Sequence, residues 1–199
     1  ERVLQDLQRL INEGVRQVKF VDRTFNCDRA RAKDIFQFII RLSHIAGRCP
    51  NFHFEAAADL FDDEMLEILS KAPRGLIQFE IGIQSTNLKT LELINRKTDL
   101  SKVFYYVKKL REMGNIHIHL DLIAGLPGEN YRSFANSFNA VYRLKPHKLQ
   151  LGFLKMLKGS KIRNEAQVYG YRFNDHPPYE VLSNCLMNFE EILELKGIE

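Results

Sequence analysis

The residues best suited to chemistry lie in short runs that alternate polar and apolar side chains. From Leu76 to Gln84, Ile77, Phe79, Ile81 and Ile83 oppose Gln78, Glu80, Gly82 and Gln84. From Ile116 to Ile123, Ile116, Ile118, Leu120 and Leu122 oppose His117, His119 and Asp121; Phe52, Phe54 and Ala56 oppose His53, Glu55 and Ala57. A period of two puts each set on one face of a strand. Asp121, near the C-terminal end of its run, is a carboxylate able to accept hydrogen bonds from two hydroxyls, and Arg96 can clamp a carboxylate with two parallel N–H bonds. Glu55, Glu80 and Gln84 add polar groups to the same kind of face. Gly125-Leu126-Pro127-Gly128 follows the Asp121 run directly. Pro127 then Gly128 suits a type II turn, and Gly125 removes side-chain bulk, so backbone could approach a flat ligand; the same turn also serves as a plain connection. His53, His117 and His119 share these faces, but paired histidines on a strand are more often hydrogen-bonded than metal-bound, and no metal site is read from them.

The elements that would position these groups follow from apolar periodicity. Val3, Leu7, Leu10 and Ile11 mark a helix that Gly14 closes, and Val15 to Asp22 reads as a strand. Ile35, Phe38, Ile39, Leu42, Ile45 and Ala46 stripe a helix from about Arg29 to Ala46. A strand over 52–57 leads to a short helix on Met65, Leu66 and Leu69, with Asp62 as its N-cap. Strands at 76–83, 116–124 and 147–156 are separated by helical stretches at 88–95, 99–113 and 131–142. A last helix is expected from about Pro178 to Lys196, with Leu182, Cys185, Leu186, Phe189, Ile192 and Leu193 on one face. The spacing between strands fits crossover helices and so predicts an α/β fold with a mostly parallel sheet. Parallel strands covered by helices on both faces read as continuous apolar runs, which these do not. A curved sheet with helices outside and a polar interior fits the alternation; an antiparallel sheet with one wet face would alternate identically. The expected organisation is residues 1–157 as the barrel portion and 158–199 as a helical extension on the same domain.

Composition narrows the function classes. Twenty-nine Lys and Arg against 25 Asp and Glu leave a net charge of +4, scattered along the chain, which gives little sign of a nucleic-acid surface. No apolar run reaches the roughly 20 residues needed to span a bilayer, and no signal peptide opens the chain, so a cytoplasmic protein without a membrane partner is expected. Cys27, Cys49 and Cys185 are odd in number and far apart; each is expected to be a small buried or half-buried side chain.

Three motifs in order carry a resemblance. They are Phe79-Glu80-Ile81-Gly82-Ile83-Gln84-Ser85 with Asn95-Arg96; His119 through Gly125-Leu126-Pro127-Gly128-Glu129; and the strand ends Phe20-Val21-Asp22-Arg23-Thr24-Phe25-Asn26 and Phe54-Glu55-Ala56-Ala57. Together they resemble the radical S-adenosylmethionine (radical SAM) superfamily, nearest the oxygen-independent coproporphyrinogen oxidases and cobalamin-binding Fe–S oxidoreductases. The resemblance implies a partial (β/α) TIM-like barrel, of which this chain holds strands 2 to 6 of six. It implies S-adenosylmethionine and a 4Fe–4S cluster as cofactors, with cobalamin held by another domain in some members. Asp121 would take the ribose hydroxyls, Gln84 and Arg96 the methionine part, and Glu55 the same ligand from the third strand. Glu80 would face substrate or cofactor, and Gly125 would line the cofactor. In such enzymes the reduced cluster cleaves the cofactor, and a 5′-deoxyadenosyl radical takes hydrogen from substrate. The implied partners are a small-molecule substrate, porphyrin-type or other, and an electron donor such as flavodoxin or ferredoxin. No residue is assigned a catalytic role.

One departure stands out. The Cys-x3-Cys-x2-Cys motif that holds the cluster is absent, and the three cysteines present are too far apart to replace it. The chain opens at Glu1 within a helix pattern, so the cluster loop is expected in a longer parent. The alternative is a non-catalytic barrel that lost its cluster and binds a ligand or partner.

Overall fold

Strand and helix alternate because each apolar strand face needs a helix stripe to bury it. The computed structural model describes residues 2–46 and 50–198. In chain order these form α1 (Arg2–Asn12), β1 (Gln17–Lys19), α2 (Arg29–Ala46), β2 (Asn51–Glu55), α3 (Asp63–Ser70), β3 (Ile77–Gln84), α4 (Leu88–Leu93), α5 (Leu100–Met113), β4 (His117–Ala124), α6 (Tyr131–Tyr142), β5 (Lys148–Phe153), α7 (Lys161–Asn164), β6 (Arg172–Phe173), β7 (Val181–Ser183) and α8 (Phe189–Lys196). β1 to β5 make one sheet in sequential order, β6 and β7 a second, antiparallel one. The larger sheet is parallel, with helices outside it, as the spacing predicts; β1 pairs with β2 and β2 with β3 in that sense.

The chain divides into two compact units. One takes the residues up to Gly82 with Asp99–Leu120 and Leu144–Lys148; the other takes Ile83–Thr98, Asp121–Arg143 and the chain from Leu149 on. β3, β4 and β5 contribute to both.

In the first unit the core is aromatic. Phe54 on β2 lies within 4.6 Å of Phe20, 4.5 Å of Phe25 and 5.2 Å of Phe36, centroid to centroid, and Phe79 on β3 extends the group to Phe36 and Phe61. α2 closes over it with Ala32, Ile35, Phe36, Ile39, Ile40 and Leu42 buried. Ile45, expected on this stripe, is exposed at the helix end. β1 is shorter than the expected 15–22 run, and Val21 is 91% exposed. Past β1, Asn26 is buried. Its amide donates to the Ala57 carbonyl at 2.9 Å and accepts from the Ala57 N–H at 3.0 Å, replacing a strand rung at the end of β2. Asn26→Leu leaves both backbone groups without their partner and is expected to cost about 2 kcal/mol, read as a lower urea midpoint with unchanged slope.

Local signals place the helices well. Asp62 accepts from the Met65 N–H, Asp99 from the Lys102 N–H, and Gly114 ends α5 in the left-handed region. The C-terminal stretch departs from expectation. The helix expected over 178–196 is cut to α8, because Asn188 and Glu191 form a capping box that starts it there. Ahead of it β7 pairs with β6, and the Asn184 side chain accepts from the N–H groups of Leu186 and Met187 to form a turn. The extension is therefore a small hairpin plus two short helices. Cys27 and Cys185 are exposed rather than buried; Cys49 lies outside the described residues.

Candidate functional site

In the first unit, register across three strands sets up a charged row. Lys19 stands opposite His53, and Glu55 opposite Glu80. The Lys19 ammonium lies 3.5 Å from Glu55 Oε1 and 3.4 Å from Glu80 Oε2, and His53 Nε2 is 2.9 Å from the same Glu80 oxygen. Burial opposes the charge on Glu80, but Lys19, with His53 and His119, outweighs it and holds the carboxyl below the ordinary glutamate range. That carboxylate favours the fold at neutral pH and ceases to as pH falls through its lowered value. Burial, followed by Lys148, pushes the His119 imidazole down and favours its neutral form. Glu55 and Glu80 are thus brought together, joined by a lysine that sequence reasoning passed over; its signal was the same polar-face parity in the run that holds β1.

Gln84, Arg96, Asp121 and Gly125 all fall in the second unit. Gln84 ends β3 with φ at 70°, left-handed backbone that costs a non-glycine residue of order 1 kcal/mol. Its Oε1 is buried with no hydrogen-bond partner. Asp121 is half-buried on β4, on the polar face that the alternation predicts. Asn95, at φ 54°, closes α4: its N–H donates to the Glu92 carbonyl and the Arg96 N–H to the Leu91 carbonyl, a paired helix end that fixes where Arg96 leaves the helix.

Gly125 and Gly128 have φ of 82° and 75°. A Cβ at 125 would meet only ordinary contacts, the nearest at 3.6 Å, so the left-handed backbone and not the lack of bulk demands glycine there. At 128 a Cβ would fall 2.7 Å from a Leu93 methyl, which would have to swing aside, so there too the left-handed backbone is what demands glycine. The Gly125 carbonyl accepts from the Tyr171 hydroxyl at 2.9 Å and from the Asn184 amide at 3.3 Å, anchoring the turn to the hairpin. Burial pushes the Tyr171 hydroxyl far up, so it remains a donor.

Sequence reasoning also missed a buried polar network in this unit. Glu129, 0% exposed, accepts from Ser85 Oγ at 2.7 Å and from Ser137 Oγ at 3.3 Å. Ser137 in turn accepts from the Thr86 N–H and hydroxyl, and Ser85 from the Asn87 N–H. The residues just past Gln84 are therefore tied to the end of the Gly125 turn and to α6. The signal was Ser137 itself, a polar residue on the buried stripe between Phe134 and Val141.

Parallel strands and outer helices describe an α/β domain with polar groups at its strand ends. Residues 1–141 match the Radical SAM superfamily, and residues 167–199 match a second family described as a protein of unknown function (DUF4080). The chain belongs to the radical SAM superfamily. It is 27% identical over 150 residues to the tRNA-2-methylthio-N(6)-dimethylallyladenosine synthase of Bacillus pumilus, covering 72% of this chain and 29% of that protein. Among solved structures it is similar to the radical S-adenosylmethionine methyltransferase TsrM of Kitasatospora setae, determined with cobalamin and a 4Fe–4S cluster bound; the TM-score is 0.70 at 19% identity, over 94% of this chain and 37% of the other. It is also similar to coproporphyrinogen III oxidase HemN of Escherichia coli, with a TM-score of 0.58 at 20% identity over 86% and 46%. The chain thus spans less than half the length of each.

Superfamily members are enzymes that use S-adenosylmethionine and a 4Fe–4S cluster. The orphaned Oε1 of Gln84 fits the first, being a buried acceptor held ready for an outside donor. The cluster is not matched. Cys27 and Cys185 fall in different units, and no group of His, Cys, Asp or Glu suited to a metal occurs among the described residues. No helix among them is long and apolar enough to cross a membrane.

Proposed function

We propose that this chain is the S-adenosylmethionine-binding core of a radical SAM oxidoreductase, with the 4Fe–4S cluster held by residues outside it. Bound cofactor supplies a carbon-centred radical when its S–C bond is cleaved. This chain binds and orients that cofactor. Asp121 accepts from the two ribose hydroxyls, Arg96 clamps the methionine carboxylate, and Gln84 accepts from the methionine ammonium. The Gly125 turn, locked by Tyr171, borders the nucleoside. Glu55 and Glu80, steadied by Lys19, form a charged row within the first unit. A small-molecule substrate and a flavodoxin- or ferredoxin-type electron donor complete the reading. The observation that carries it is Gln84: a residue bearing a backbone penalty in order to point a buried, unanswered acceptor from a polar-faced strand end.

In the protein carrying its cluster loop, Asp121→Ala should weaken S-adenosylmethionine binding about tenfold or more, as expected for two lost hydrogen bonds to a charged group. Equilibrium dialysis reads this directly, and unchanged affinity removes Asp121 from the site. Cofactor that binds without being cleaved by a reconstituted, reduced protein would favour a non-catalytic ligand-binding domain instead.

A further inference from the structure

Where β4 and β5 begin, Arg74, Arg111, His117, His147 and Lys148 gather with no acid among them. His147 opens the approach to β5, and its backbone N–H donates to the Ile118 carbonyl at 2.9 Å. Its ring stacks on His117 with centroids 4.7 Å apart. Arg111 reaches the ring from the end of α5, and Arg74 donates to the Gly114 carbonyl just before β4. The charged neighbours acting on the two imidazoles are all basic: His53, Arg111 and Lys148 on His117, and Arg111, His117 and Arg74 on His147. None of Arg74, Arg111 or Lys148 pairs with an acid among the described residues. Glu112, beside Arg111 in sequence, is taken by Lys108 and Lys109.

The hydrogen-bond chemistry of His147 is unfinished. The Ile118 N–H donates to Nδ1 at 3.0 Å, so that nitrogen carries the lone pair. The proton of a neutral ring must then sit on Nε2. Arg111 Nη1, which can only donate, lies 2.7 Å from Nε2 and 3.3 Å from Nδ1, across the ring. It adds a donor beside the one N–H of the neutral ring, and protonating the ring adds another. Arg111 Nε is also buried with no acceptor. A guanidinium and an imidazole N–H converging without an acceptor call for an oxyanion from outside the chain.

We propose that this cluster binds a phosphate group, with Arg111 and His147 Nε2 as the inner donors and Arg74 and Lys148 supplying further charge. The planar fork of arginine matches phosphate oxygens, and several donors from separate parts of the chain suit a group with three free oxygens better than a carboxylate. The source is either a small phosphorylated ligand or a nucleic-acid backbone. The inference does not rest on the cofactor reading, since it uses none of its residues.

The test is a titration of this chain with inorganic phosphate and pyrophosphate, followed through the ring signals of His117 and His147 by NMR. A saturable shift that chloride at equal ionic strength does not reproduce is expected. Arg111→Gln and Arg74→Gln should each weaken it about tenfold, while Lys89→Gln leaves it unchanged. Arg74 makes only a surface contact to one carbonyl, so its variant remains informative if the Arg111 variant folds poorly. A short single-stranded RNA that displaces phosphate from the same ring signals identifies a nucleic-acid source, and one that does not identifies a small phosphorylated ligand. No saturable shift with either phosphate, or equal affinity in both arginine variants, overturns the proposal.

Discussion

Phe54→Ala is expected to remove about 3–5 kcal/mol of unfolding free energy, the range for a fully buried aromatic cut to a methyl. The residue is 0% exposed and in ring contact with Phe20, Phe25, Phe36 and Phe79, so truncation opens a cavity whose walls belong to β3, α2 and the segment after β1. Those walls are rings, stiff in two dimensions, and cannot collapse into the space as aliphatic chains would. Phe54→Leu keeps most of the volume and should cost much less, under about 1.5 kcal/mol. Val21→Ala, at an exposed position nearby, should fall within about 0.5 kcal/mol of wild type. Guanidinium denaturation with fixed m-values measures all three; a loss below 1 kcal/mol for the alanine variant would mean that the aromatic group is not a packed core.

The second large effect is expected at Glu129. Glu129→Ala deprives the Ser85 and Ser137 hydroxyls of their acceptor inside a sealed pocket and should cost about 3 kcal/mol. Glu129→Gln keeps an acceptor oxygen and should retain most of the stability, with a distinctive pH dependence. Burial, only partly offset by the serines, raises the folded-state pKa of this carboxyl above its ordinary 4.5. Below that ordinary value the group is neutral in folded and unfolded chains alike. As pH rises from there through the raised folded value, the unfolded chain ionises first, and wild type loses stability. The glutamine variant has no such loss, so the stability difference between the two should move in favour of glutamine across that window. A constant difference from pH 4 to pH 8 would show that Glu129 ionises as readily in the fold as out of it.

Much of this architecture can be read from parity and punctuation. The alternation in the runs around Glu80 and Asp121 is the alternation of the strands, because one face meets helices and the other meets polar neighbours. Asp62, Asp99 and Gly114 mark helix ends because short acceptors and a residue free to be left-handed answer groups that every helix leaves unpaired. What stayed hidden depends on distance in sequence. Nothing local tells Lys19 that Glu80 will stand beside it, or Asn26 that it will bond both backbone groups of Ala57. Glu129 reads as a surface residue until the turn after β4 folds back on the residues following β3. The 178–196 region misled for the opposite reason. Its apolar spacing suits a helix, but the Asn188 capping box and the Asn184 turn reset the chain within it.

The two margins of the main sheet face different fates in solution. Just past β5, residues 154–156 are already zipped to 179–181: the Val181 N–H donates to the Leu154 carbonyl and the Met156 N–H to the Tyr179 carbonyl, which occupies the chain leaving that border. The β1 border pairs only with β2 among the described residues and is guarded by little more than its brevity and the charge of Lys19. A three-residue fringe offers a stray strand few rungs to climb, and a cation there discourages a second copy from lying alongside. Self-association of the isolated chain, where it occurs, should therefore begin at Gln17–Lys19.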